Sequence, residues 1–255
     1  GNANLYAVVG LGFLMIIPTV YAYRYFVPLE YRTGSGETQK KKQKTGMFEG
    51  LRILLTRPYV MGILGLATLY EIIATILEFE MNMVASVVYP SKEGLASFNG
   101  MYGMFVNGLS LMFAVLGTSF LMRRFGLRFC LLLFPIATGV VLTGVYFAPV
   151  LAMLTLASVV VKGLSYALNN PSKEMMYIPT SKDVRFKAKG WIDQFGGRSS
   201  KGTGAAINNM FSHSMTALLT YGTLISFGLV GIWLAVAAYV GSRFKSLTEK
   251  DEVIS

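Results

Sequence analysis

The 255-residue chain is 53% hydrophobic and only 14% charged, with a formal net charge of +10 and a mean hydropathy of +0.52. Soluble domains carry roughly 25% charged residues, so the composition argues against an ordinary soluble fold and predicts an all-α integral membrane protein. One cysteine (Cys130) excludes an internal disulfide framework, and one histidine (His213) argues against a zinc site.

A helix needs about 20 apolar residues to cross a bilayer. Seven stretches meet this length: roughly 4–26, 59–84, 97–121, 129–147, 150–169, 190–214 and 221–241. The chain opens Gly-Asn-Ala without Met and enters an apolar run almost at once, which reads as a piece of a longer protein. That first run is too long for a signal peptide and lacks its basic flank.

The connections sort by charge. Arg32, Lys40, Lys41, Lys42, Lys44, Arg52 and Arg57 lie between the first two spans, and Arg123, Arg124 and Arg128 between the third and fourth. A dense polar block occupies residues 171–201, and Arg243, Lys245 and Lys250 follow the last span. The alternate connections hold only Lys92, offset by Glu93. The positive-inside rule puts every basic connection on the cytoplasmic or equivalent face. The charge is thus a topology signal and not a nucleic-acid surface. Residues 33–45 are rich in Gly, Ser and Lys and read as a flexible linker.

The second span contains Glu71, Glu78 and Glu80. An ionised carboxylate at mid-membrane costs about 2.5–3.5 kcal/mol on insertion scales, so each needs an explanation. Glu71 and Glu78 share a face with Asn82, which suits ion pairing or proton coupling at Glu78. Glu80 points elsewhere, and the bland reading puts it in the outer interface while Glu71 pairs inside the bundle. Gly100, Gly103 and Gly108, with Asn99 and Asn107, give the third span small residues of the kind that lets helices pack closely. Lys162, the sole charge of the fifth span, either snorkels to the inner headgroups or faces a cavity; a pair with Glu78 is one reconciliation.

The block 171–201 reads as a soluble-side loop or as a loop that feeds charge into a span. The sixth span either begins near 190 and includes Trp191, Asp193, Arg198 and Lys201, or runs from 202 to about 220. The first is preferred, because Ser212-His213-Ser214 suits a turn. It sets Arg198 and Lys201 one turn apart on one face, where cations in a dry cavity favour phosphate or carboxylate. The alternative for both is a cytoplasmic salt-bridge cluster with Asp183 and Asp193. The run Phe195–Gly202 lacks the order of a phosphate loop, since Lys201 precedes its glycine. No catalytic triad or metal-ligand cluster appears, so neither catalytic residues, a metal nor a cofactor are expected, and the chain does not read as an enzyme.

The block continues Pro171-Ser172-Lys173-Glu174-Met175-Met176-Tyr177-Ile178-Pro179, then Lys187-Ala188-Lys189, Ile192-Asp193 and Gly196-Gly197-Arg198 before Lys201. It resembles the non-mitochondrial ATP/ADP translocases, the nucleotide transporters of plastids and obligate intracellular bacteria. Leu77-Glu78 and Lys162-Gly163 extend the likeness, and Arg124-Phe125-Gly126-Leu127-Arg128 echoes the major-facilitator loop signature. The sequence departs from the family at Met81-Asn82, where the family has Trp-Lys, and at Ser165, where it has a lysine.

The resemblance implies a twelve-helix major-facilitator transporter, with the seven spans here as helices six to twelve. Residues 1–27 would be the last helix of the N-terminal half, 28–57 a basic cytoplasmic linker, 58–242 the C-terminal six-helix half and 243–255 a cytoplasmic tail. Such carriers hold substrate near the midplane between two halves, so the partner implied for this chain is the remaining N-terminal half. ATP and ADP are the implied substrates, and the bilayer of a plastid inner envelope or of an intracellular bacterium's inner membrane is the implied setting. Glu78, Lys162, Arg198 and Lys201 are the implied substrate contacts. Lys173, Glu174 and Asp193 are implied gate or structural ion pairs. A carrier of another anionic metabolite such as NAD, or a non-transporting membrane subunit, are the competing readings.

Overall fold

A computed structural model describes residues 47–254 apart from Gly117 and Asp251, together with Leu14, Pro18, Tyr21 and Tyr25; at residues 47, 48, 114, 116 and 118–121 only the backbone is described. The chain divides into two compact units, Gly1–Thr45 and Gly46–Ser255. The four described positions of the first unit are helical, and the rest of the expected first span and of the basic linker lies outside the described residues.

The second unit is built of helices. A short amphipathic α1 (Met47–Thr56) leads into α2 (Pro58–Val88), which opens with Pro58 where a missing N–H costs nothing. Then come α3 (Lys92–Leu116) and α4 (Thr118–Phe147). Inside α4 the chain breaks at Gly126, whose φ of 78° is open to glycine at little cost. The break falls two residues past the Arg123–Arg124 pair. Next are α5 (Leu151–Leu164), α6 (Asn170–Met176), α7 (Lys182–Trp191), α8 (Gly197–Phe211) and α9 (Met215–Glu249).

Single widened π turns join α5 to α6 at Ser165–Asn169 and α7 to α8 at Ile192–Gly196. The first ends beside Pro171, which has no N–H to give the carbonyl four residues back. The second runs into the Gly196-Gly197 pair, a common site of helix distortion. The block expected as a loop is therefore almost wholly helical. Its non-helical part is the turn around residues 177–181, and an unbroken helical run reaches from Lys182 to Phe211. The turn at Ser212–Ser214 falls where the preferred reading of the sixth span put it.

Among the described residues, four helical segments are long and apolar enough to cross a bilayer: Pro58–Val88, Met122–Phe147, Leu151–Met176 and Met215–Glu249. Of the other expected stretches, 190–214 is helical as far as Phe211, and its Asn, Gly, Arg and Lys content keeps it below that apolarity. The stretch expected at 97–121 falls in helix Lys92–Leu116 and the start of Thr118–Phe147, where several side chains lie outside the described residues.

Helix α2 is the axis of the unit. It runs antiparallel to α9, with Gly62 against Val240, Gly65 against Val236 and, at the far end, Gly222 against Glu80. It runs parallel to α8, with Gly196 beside Leu64 and Gly204 beside Thr75. Asn208 of α8, almost wholly buried, donates to the Thr75 carbonyl at 3.3 Å. In lipid there is little hydrophobic drive between helices, so association rests on such close backbone approach and on interhelical hydrogen bonds. Tyr70, Phe134 and Trp233 close the core between α2, α4 and α9, with ring centroids 4.7 to 6.4 Å apart.

The small residues of α3 do not serve this purpose. A side chain added at Gly100, Gly103 or Gly108 would meet nothing within 4 Å. That helix packs instead through Phe98, Tyr102 and Val106, one turn apart on its other face.

The basic connections collect at one end of the unit. Gly50 meets Trp191, Tyr59 donates to the Met176 carbonyl at 2.7 Å, and Gly241 lies on Arg128. Ser181 and Pro179 exchange backbone hydrogen bonds with Ile254 at 2.9 and 3.0 Å. Residues 47–59, 124–128, 176–191 and 241–254 thus share a face, as the charge pattern requires.

The packing gives a paired expectation. At Gly204 an added Cβ would lie 2.8 Å from Thr75 Cβ and 3.1 Å from the Ile72 carbonyl oxygen. Gly204→Leu is expected to lower the thermal unfolding midpoint of the detergent-purified protein, by an overpacking cost of about 1–3 kcal/mol. Gly100→Leu should leave it within error. Equal midpoints for the two variants would contradict this account of the α2–α8 contact.

Candidate functional site: charged pairs along α2

Glu71 and Glu78 lie two helical turns apart on one face of α2, roughly 10 Å along the axis. Glu71 is close to the middle of the 31-residue helix. Each carboxylate faces a lysine from a different helix. Lys162, in the last turn of α5, donates to Glu78 Oε1 at 2.6 Å, and its ammonium stands 5.8 Å from the Tyr102 ring centroid. Lys201, in α8, lies 3.3 Å from Glu71 Oε1.

Lys162 thus neither snorkels nor stands alone. Its partner is the carboxylate that the sequence singled out on α2. Both pairs are partly exposed, with side-chain exposures of 27% and 39% for Lys162 and Glu78, and 68% and 22% for Lys201 and Glu71. They line a surface of the unit and are not sealed in its core. Arg198 shares the face of Lys201 one turn earlier, is exposed, and has no ion pair among the described residues.

A second cluster lies at the basic end. Lys173 of α6 bonds Asp193 in the π turn at 2.7 Å. Glu174 holds Lys189 in a short hydrogen bond and meets Arg185 at 3.4 Å. Lys187 bridges Glu49 at 2.6 Å and Asp183 at 2.7 Å, which pins α1 to α7. These carboxylates, Asp183 first and Glu49 second, hold the Lys187 ammonium above its ordinary range. A raised lysine keeps its contribution below the ordinary value and loses it only as pH climbs through the higher one. The clamp therefore persists at neutral pH. Asp183 and Asp193 are taken by Lys187 and Lys173, and neither pairs with Arg198 or Lys201 among the described residues.

Glu80 departs from expectation. It is wholly buried, and neither carboxylate oxygen has a hydrogen-bond partner among the described residues. Gly222 of α9 lies directly against it. The reason is its register, because Ile73, Ile76, Leu77, Glu80 and Met81 form the continuous stripe that α2 buries. That stripe was present in the sequence as an apolar pattern interrupted by one acid. The 3.6-residue spacing signalled a buried carboxyl, not an interfacial one. Tyr102 and Asn208 were missed for a different reason, since each becomes notable only through a partner on another helix.

Paired charges within membrane helices commonly mark substrate or ion pathways. The chain matches the family described as TLC ATP/ADP transporter over residues 2–244, and it belongs to that family. Among its relatives, the chloroplastic ADP,ATP carrier protein 1 of Arabidopsis thaliana is 28% identical across 99% of this chain and 43% of the relative. ADP,ATP carrier protein 1 of Rickettsia prowazekii is 26% identical across 88% of the chain and 50% of the relative. The Chlamydia pneumoniae protein of the same name is 24% identical across 90% and 49%. The chain spans about half the length of these curated relatives. No solved structure matches it significantly.

A carboxyl buried without a partner carries its full desolvation cost, which an apolar side chain of similar size avoids. Glu80→Met is accordingly expected to raise the unfolding midpoint. A clear drop would mean that Glu80 has a partner in the full protein.

Proposed function

We propose that the full carrier exchanges ATP for ADP by alternating access, and that the cations held along α2 receive the phosphate groups. The observation that carries this reading is the pairing of Lys162 and Lys201 with carboxylates on one face of α2 near mid-span. An isolated charge there costs several kcal/mol, and intramembrane charges commonly mark substrate or ion pathways. Arg198 adds a guanidinium able to grip a phosphate through two hydrogen bonds. Membership of the TLC family and the names of the relatives support nucleotide substrates.

In this reading nothing is hydrolysed, and the concentration gradients of the two nucleotides drive the cycle. The rest of the substrate site comes from sequence outside the matched portion of the relatives, in an N-terminal half that faces this unit. Lys173–Asp193 and Glu174 with Lys189 and Arg185 close the cytoplasmic end when the site faces the other way. The π turns lie within a few residues of Lys162 and of Lys201 and give both helices a place to bend. The plastid inner envelope or the inner membrane of an intracellular bacterium is the setting that the relatives support.

The test is uptake of labelled ATP by liposomes containing the full-length carrier. Uptake should require internal ADP, and Lys201→Ala should reduce it at least tenfold at subsaturating ATP. Normal exchange in that variant would remove Lys201 from the substrate site.

A further inference from the structure

The two lysine–glutamate pairs differ, and the difference assigns a role to Glu71. The Lys162–Glu78 pair is tight, hydrogen-bonded at 2.6 Å, with the ammonium 5.8 Å from the Tyr102 ring centroid. The Lys201–Glu71 pair is loose, at 3.3 Å without a geometrically sound hydrogen bond, and the Lys201 side chain is 68% exposed. Glu71, at 22% exposure, is the more enclosed partner. Its neighbour Thr75 turns its hydroxyl to the Glu71 backbone carbonyl at 2.7 Å, not to the carboxylate. Lys201 is thus held by charge alone and is the more easily detached of the two cations.

Resting on the transport reading above, we propose that Glu71 is a stand-in anion: it neutralises Lys201 in the empty carrier and yields it to a substrate phosphate. Two consequences follow from elementary electrostatics. First, every phosphate that binds Lys201 displaces a carboxylate, so the site binds nucleotide more weakly than its cations alone would and releases it more readily. Second, Lys201 keeps a counter-charge in the interval between release of one nucleotide and capture of the next, where a bare ammonium near mid-span would be costly. Arg198, one turn away and without an acid among the described residues, keeps the empty site attractive to anions throughout.

A purely structural salt bridge predicts the opposite sign. Breaking it would disorder α8 against α2 and weaken substrate binding. The stand-in role predicts that removing the carboxylate strengthens binding.

The experiment uses the full-length carrier as wild type, Glu71→Gln and Glu71→Asp, with labelled ADP as the probe. Equilibrium binding is measured in detergent, and flux in liposomes loaded with ATP or with buffer alone. Glu71→Gln should bind ADP about two- to fivefold tighter, the range for a partly exposed ion pair. Its exchange with internal ATP at saturating ADP should slow, because the more tightly held nucleotide leaves more slowly. Glu71→Asp, a methylene shorter, should lie between wild type and the Gln variant in both measurements. ADP binding that is unchanged or weaker in folded Glu71→Gln overturns the inference. Should that variant fail to fold, Glu71→Asp decides: tighter binding supports the inference, and unchanged or weaker binding overturns it. A wild-type carrier that neither binds nor exchanges ADP would overturn the transport reading and this inference together. Wild-type exchange with no tightening in the variants would overturn the inference alone.

Discussion

The structure depends on how α2 carries charge through an apolar environment. A carboxylate or ammonium alone at mid-span is expensive, and the cost falls only when an opposite charge comes within a few ångströms. Helix α2 meets that requirement twice, two turns apart, with lysines drawn from α5 and α8. The pairs therefore dictate which helices must neighbour α2 and at what height. They also leave a row of partly exposed charges on one side of the unit.

The rest of the packing keeps α2 in position to do this. Helix α9 lies antiparallel along it, from Gly62 and Val240 at one end to Glu80 and Gly222 at the other. That contact extends over some 18 residues, about 27 Å at 1.5 Å per residue, close to the hydrocarbon thickness. Helix α8 lies parallel to α2 and brings Lys201 level with Glu71 because Gly204 and Asn208 dock against Thr75. At the basic end, Tyr59, Lys187 and the Ile254 backbone tie the short helices and the tail together. The mobile-looking part of the motif, with its lysines and glycines, is thereby an ordered helical hairpin. Its two charged arms are bonded to one another through Lys173–Asp193 and Glu174–Lys189.

Much of this was legible in the sequence. The apolar runs and the placement of arginine and lysine gave the helical membrane class, and Ser212-His213-Ser214 gave the turn before α9. Glu78 and Lys162 stood out because each is a lone charge in an apolar run, and the structure joins them. The order of Lys173, Glu174, Asp193, Arg198 and Lys201 carried the family likeness that the match over residues 2–244 established. What was not legible depended on pairing across helices. Nothing local distinguishes a glycine that touches a neighbour, such as Gly222, from one that faces open space, such as Gly103. Periodicity could have buried Glu80, but only the position of α9 shows what lies against it. The block 171–201 reads as a loop by composition, because its charges face one another and not an apolar core. Helical structure there is stabilised by ion pairs between segments, a signal that hydropathy does not contain.

The central claim is that Lys162 and Lys201 are held by α2 carboxylates in waiting for a polyphosphate. A structure of the full-length carrier with ADP bound tests it most directly. The account predicts ADP phosphate oxygens within hydrogen-bonding distance of Lys201, with Lys162 or Arg198 beside them and Glu71 no longer on Lys201. Bound ADP far from the α2 face, with both lysines still on Glu78 and Glu71, would contradict it.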